Sequence, residues 1–103
     1  MVQISFYVPE IDLEIVKNAM FDAGAGRYNN YEQCAWQTIG MGQFKPIGDA
    51  HPTIGLLDKL EVIKEYKVEM ICTDDHLPRA LEAMKFAHPY EEIAYTVIKM
   101  ENQ

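Results

Sequence analysis

No apolar run in this chain approaches the roughly 20 residues needed to cross a bilayer, and no charged stretch leads into an apolar one at the N-terminus. A membrane protein and a secretory leader are therefore not expected, and the reading is cytoplasmic. Basic residues are also scarce: nine Lys and Arg stand scattered among sixteen Asp and Glu, giving a net charge of −7. Affinity for a phosphate backbone comes from clustered cations, so a nucleic-acid partner is excluded. Cysteine is limited to Cys34 and Cys72, with no CxxC spacing, which excludes a disulfide framework and reads as two buried thiols. Glycine forms neither GxGxxG after a strand nor GxxxxGK[ST], so the standard phosphate loops are missing. Cys34 has no base beside it in sequence, and nucleophilic catalysis finds no support.

What is present is enough for a core. At 49% hydrophobic and 11% aromatic, the 103 residues read as a single domain, 1–103, that folds unaided. Val2, Ile4, Phe6 and Val8 alternate with polar neighbours at the period of a strand, which Pro9 ends. Asp12 is placed to cap a helix whose stripe is Leu13, Val16, Met20 and Ala23. Gly24 and Gly26 stop that helix, glycine being the residue that accepts a left-handed terminus. Tyr28 to Tyr31 read as a polar turn exposing aromatics, and a second strand fits 33–40 around Trp36.

Residues 41–58 carry Gly42, Pro46, Gly48, Pro52 and Gly55 and read as a long connection, a feature that is often functional. The third strand follows: Leu60, Val62, Tyr66, Val68, Met70 and Cys72 share one face, and Glu61, Ile63, Glu65, Lys67, Glu69 and Ile71 the other. Asp74 or Asp75 is placed to cap a second helix with Pro78 in its first turn and Leu77, Ala80, Leu81, Met84 and Ala87 as its stripe. A last strand runs from about Ile93 to Met100. The order β-α-β-β-α-β is the ferredoxin-like α+β unit, a four-stranded antiparallel sheet with both helices on one face. The other face is left open. With Ile63 and Ile71 on it, it is the expected interface of a homo-oligomer.

The stretch Phe86-Ala87-His88-Pro89-Tyr90-Glu91-Glu92 admits two readings. In one, His88 closes the second helix against its unpaired carbonyls, and Pro89 forces the chain out of helical conformation. Tyr90, Glu91 and Glu92 then clasp the long loop, with Glu91 or Glu92 accepting its backbone hydrogen bonds beside Phe44, Lys45 and His51. In the other, His88, Glu91 and His51 are ligands for a divalent metal such as zinc. No HxxxH-type spacing accompanies them.

Several motifs carry a family likeness: Ala23-Gly24-Ala25-Gly26 with Tyr28, Cys34-Ala35-Trp36, Gly40 through Pro46, Pro52-Thr53-Ile54-Gly55, Glu65, and His88-Pro89-Tyr90-Glu91-Glu92. In that order they resemble the Nif-three-like family, and more narrowly its stand-alone YqfO-type chains, over nearly all of residues 2–100. The resemblance implies a PII- and CutA-like fold, matching the domain inserted in the middle of longer members. It implies no activity, because the two-metal site of those longer members lies in a flanking domain whose histidines and carboxylates are not in this chain. His51 departs from the asparagine, and Ile93 from the proline, that the family pattern would place there. The function expected is non-enzymatic binding of a small molecule or protein partner without a cofactor, the alternative being the metal-binding protein just described.

Overall fold

The computed structural model describes residues 1–101. Four strands, β1 (Val2–Pro9), β2 (Trp36–Phe44), β3 (Glu61–Cys72) and β4 (Tyr95–Lys99), form one sheet in the order β2-β3-β1-β4, every neighbouring pair antiparallel. Helices α1 (Leu13–Asp22) and α2 (Leu77–Ala87) pack against each other on one side of it. This is the ferredoxin-like α+β arrangement that the strand and helix periodicities predict. No helix among the described residues is long and apolar enough to cross a membrane.

The core lies where the alternation of β1 and β3 meets the helix stripes. Ile4, Phe6, Val8, Val68 and Cys72 from the sheet and Val16, Met20, Ala80 and Met84 from the helices are wholly buried. Each large aliphatic or aromatic side chain among them contributes about 1.5–3 kcal/mol by leaving water. Burial pushes the Cys72 thiol above its ordinary range, with the nearby Asp75 and Asp74 carboxylates adding to the effect. Phe21, outside the predicted stripe, joins this core from the last turn of α1.

That turn closes as the two glycines predict. Gly24 has φ +108° and Gly26 φ +80°, and the Gly24 and Ala25 amides bond back to the Phe21 and Met20 carbonyls, the double closure of a Schellman motif. The N-termini do not follow expectation. Asp12 makes no side-chain cap bond, because a short 3-10 turn (Glu10–Asp12) leads into α1 and leaves Asp12 itself in helical conformation, φ −104° and ψ −1°. His76, rather than Asp74 or Asp75, stands at the N-cap of α2, its Nδ1 bonded to the Thr73 hydroxyl at 2.8 Å.

The second strand departs most from its predicted span of 33–40. Gln33 takes φ +60°, outside strand conformation, and pairing starts only at Trp36. It then continues through Met41, Gly42 and Gln43 to Phe44, opposite Lys64 back to Glu61, so the first four residues of the predicted loop are strand. The β2–β3 hairpin outruns the helices. Ile39, Met41 and Val62 on its helix-facing side stay more than half exposed, and the molecule extends 46 Å along one axis against 24 Å along the others. On the open face Ile63 and Ile71 lie as the alternation predicts, but Glu65, Lys67 and Glu69 separate them along β3. That face is mixed in polarity, as the alternation of β3 has it.

Candidate functional site

Strand β4 stops pairing with β1 at Tyr95 opposite Phe6, leaving the Tyr7 carbonyl without a strand partner on that side. His88 takes the vacant place. It closes α2 with its amide on the Met84 carbonyl, then turns extended (φ −74°, ψ +138°), as a residue before proline must. Its ring, 6% exposed, points onto β1, where Nε2 lies 2.6 Å from the Tyr7 oxygen. A carbonyl can only accept, so Nε2 carries the proton. Nδ1 meanwhile accepts the Tyr90 amide at 3.1 Å. Both partners thus require the neutral Nε2–H tautomer, and burial lowers the His88 pKa below its ordinary 6.5, the Tyr7 bond opposing the shift only in part. The predicted imidazolium on the carbonyls of its own helix is replaced by a neutral ring bonded to the sheet.

Tyr90 is fixed from both ends. Its amide rests on His88, its ring stands 4.8 Å from the His88 ring in an edge-on arrangement, and its hydroxyl donates to Glu65 Oε2 at 2.5 Å. Glu65 reaches that hydroxyl across the open face over Gly42, where any β-carbon would fall 1.8 Å from Glu65 Oε1. Burial, reinforced by the Glu65 carboxylate, pushes the Tyr90 phenol well above its usual value. Tyr90 keeps its proton at any physiological pH.

The next residue ties down the loop. The Glu91 carboxylate accepts the His51 amide through both oxygens, at 3.0 and 3.2 Å, and the Thr53 hydroxyl donates to the Pro89 carbonyl at 2.5 Å. At its neck the loop is closed by the Asp58 amide on the Pro46 oxygen at 2.7 Å. Gly55, at φ +95°, brings the returning chain against the Phe44 ring; a β-carbon there would lie 3.3 Å from that ring.

Between the tied loop and the 89–94 segment lies a cleft of about 500 Å³. Phe44 and Tyr90, ring centroids 6.4 Å apart, face it together with Tyr7, Pro46, Ile47 and Ile54. Lys45, Glu65, Glu91 and Glu92 bring its charge. Of the residues singled out in the sequence, Phe44, Lys45, Tyr90, Glu91 and Glu92 therefore meet at one place. His51 enters through its backbone, and His88 stands behind Tyr90 as its support. Tyr7, Thr53 and Glu65 had not been singled out as site residues; the strand register brings Tyr7 and Glu65 here, and the tied loop brings Thr53. As metal ligands, His88 has both ring nitrogens engaged and Glu91 both oxygens, and among the described residues no three His, Cys, Asp or Glu side chains are grouped to hold an ion.

No family model matches the chain. It is 44% identical, over 98% of its own length, to the GTP cyclohydrolase 1 type 2 homolog of Listeria innocua, and spans 27% of that relative. A Bacillus cereus protein related to NIF3 superposes on 98% of the chain with a TM-score of 0.82 at 34% identity, the match covering 26% of that protein. The periplasmic divalent cation tolerance protein CutA from Archaeoglobus fulgidus superposes on the whole chain with a TM-score of 0.70 and covers 87% of its own length, but at 14% identity it shares the fold alone. The likeness read from the motifs thus holds in sequence and in fold: the chain is a homologue, along almost all of its length, of one segment making up about a quarter of the longer Nif-three-like proteins.

Proposed function

We propose that this chain is a non-enzymatic domain that binds a small ligand in the cleft beneath the 45–58 loop and assembles with copies of itself. The observation carrying the first half is the cleft itself. It is concave, walled by aromatic and aliphatic side chains and provided with a few convergent polar groups, which is the usual composition of a ligand site. Tyr90 and Glu91 serve as ties rather than as acid or base: Tyr90 holds its proton tightly and Glu91 holds the His51 amide, while His88 is turned away with both nitrogens bonded. The relatives' name attaches to proteins of which this chain matches little more than a quarter, and their activity is not assigned to it.

The second half rests on the open sheet face and the long edge strand β2. Trp36 and Ile98 lie exposed on that face, beside the half-buried Ile63 and Ile71 and the charged row of β3. Titration of isotope-labelled protein with a library of small apolar fragments tests the ligand reading. Amide shifts should concentrate at Phe44, Tyr90 and Ile54 and weaken on Phe44→Ala; shifts scattered over the surface refute it. Sedimentation at micromolar concentration tests assembly. The native chain should run as an oligomer and the Ile63→Lys, Ile71→Lys double variant as a folded monomer, whereas a monomeric native chain overturns the proposal.

A further inference from the structure

We propose that the cleft selects a small amphiphilic cation, an apolar or aromatic body carrying one ammonium or guanidinium group; this rests on the ligand-binding reading above. Three carboxylates line the cleft, those of Glu65, Glu91 and Glu92, against the single ammonium of Lys45. The imbalance is local as well as global, since the chain as a whole carries −7. An anion entering here would meet a net excess of like charge, a repulsion that a cation does not meet.

The hydrogen-bonding capacity left over has the same sign. A carboxylate offers about four acceptor positions. Glu65 uses Oε2 for the Tyr90 hydroxyl, and its Oε1, laid over Gly42, retains acceptor capacity. Glu91 accepts one amide with both oxygens and keeps further lone pairs. Glu92 stands exposed at the rim. The Tyr90 hydroxyl is spent on Glu65 and the His51 amide on Glu91, which leaves the Lys45 ammonium as the one charged donor of the cleft against three carboxylates. A ligand complementary to that surplus brings donors, and a cation brings the strongest ones. The aromatic walls, Tyr7, Phe44 and Tyr90, favour the same choice. They shelter an apolar body, and their ring faces attract a cation lying over them.

The test uses three probes of nearly one shape and three charges: phenethylammonium, phenethyl alcohol and phenylacetate, each titrated into the full chain and followed at the amides of Phe44, Ile54 and Tyr90. The expected result is that phenethylammonium binds about tenfold more tightly than the alcohol, the sum of a few partly exposed charge contacts, and that phenylacetate binds more weakly than either. Glu92→Gln should cut the preference for the cation, as should about 1 M salt, which shortens screening to roughly 3 Å. If the alcohol or phenylacetate binds as well as the cation at these same amides, the charge selectivity is wrong and the cleft survives as a ligand site. If none of the three moves these amides at millimolar concentration, the binding reading falls, and this inference with it.

Discussion

Glu91→Gln keeps the shape of the loop tie and removes its charge, so it measures what the carboxylate contributes. In the native chain one amide, that of His51, is shared between the two Glu91 oxygens at 3.0 and 3.2 Å. A hydrogen bond to a charged partner contributes about 1.5–3 kcal/mol and one to a neutral partner about 0.5–1.5 kcal/mol, a difference near 1 kcal/mol. Both residues are exposed. Water competes for them, and the surviving difference is roughly 0.5–1 kcal/mol, a two- to fivefold increase in how often the loop lifts. Hydrogen exchange reads this directly. The Ala50 amide, bonded within the loop to the Ile47 carbonyl, should exchange two- to fivefold faster, while amides of β1 and β3 keep their rates. Thr53→Val removes the second tie, the hydroxyl donated to Pro89, and its effect should add to that of Glu91→Gln, because both bonds break in the same opening. Unchanged exchange at Ala50 in the double variant would refute the clasp and leave the loop held by its neck and by Phe44 alone.

Gly24→Ala places a β-carbon at φ +108° and 2.2 Å from the His76 ring, so it should cost about 2 kcal/mol and lower the melting temperature by roughly 8 °C; an unchanged melt would refute the turn described here. Gly42→Ala meets only the flexible end of Glu65, so global stability should change by less than about 1 kcal/mol. Ultraviolet titration should nevertheless show the Tyr90 phenol moving down toward its ordinary value as Glu65 is displaced from it. His88 has a folded pKa below its unfolded value near 6.5, so the unfolded chain binds the proton first. Its contribution is therefore complete above about pH 6.5 and lost as the pH falls from there through the lowered folded value, with a slope of at most about 1.4 kcal/mol per pH unit. Urea unfolding between pH 7 and 5 should show that loss, and His88→Gln should flatten it.

Periodicity made most of the fold legible. β1, β3 and both helix stripes are read directly from spacings of two and of three to four, because each buries one face and leaves the other wet. The far half of β2 was not legible for a reason specific to it. Its hairpin stands beyond the helices, so neither face is buried and no alternation is imposed, and Gly40 and Gly42 look like loop. Gly42 belongs in the strand because the Glu65 side chain lies across it, a fact that resides in the pairing and not in the local sequence. The caps failed similarly. Aspartates lie beside both helix starts, but a 3-10 turn leads into α1, and at α2 the N-cap position falls to His76, with Asp74 paired to the N-terminal ammonium instead.

The candidate site was legible to the extent that topology alone determines it. A ferredoxin-like unit brings the residues after α2 and the β2–β3 connection to the same end of the sheet, and the Glu91–His51 bond spans that gap. What topology does not contain is the partner choice of a single side chain. His88 reads from sequence as a helix terminator or a ligand, and its actual partner, the Tyr7 carbonyl, matters only because β4 is one residue too short to cover it. From that vacancy the rest follows in order. The ring that fills it must present Nδ1 to the Tyr90 amide, which sets the Tyr90 side chain over the open face within reach of Glu65, which in turn crosses the one position in β2 that has no side chain to obstruct it. The His-Pro-Tyr-Glu-Glu segment is thus a bracket running from the buried helix side of the sheet to its open side. Its proline turns the chain out of α2, its histidine anchors to β1, its tyrosine fixes the cleft wall, and its first glutamate fixes the cleft roof. A substitution at His88 should accordingly be felt first at the Tyr90 hydroxyl and the cleft, on the far side of the sheet from the helix that His88 ends.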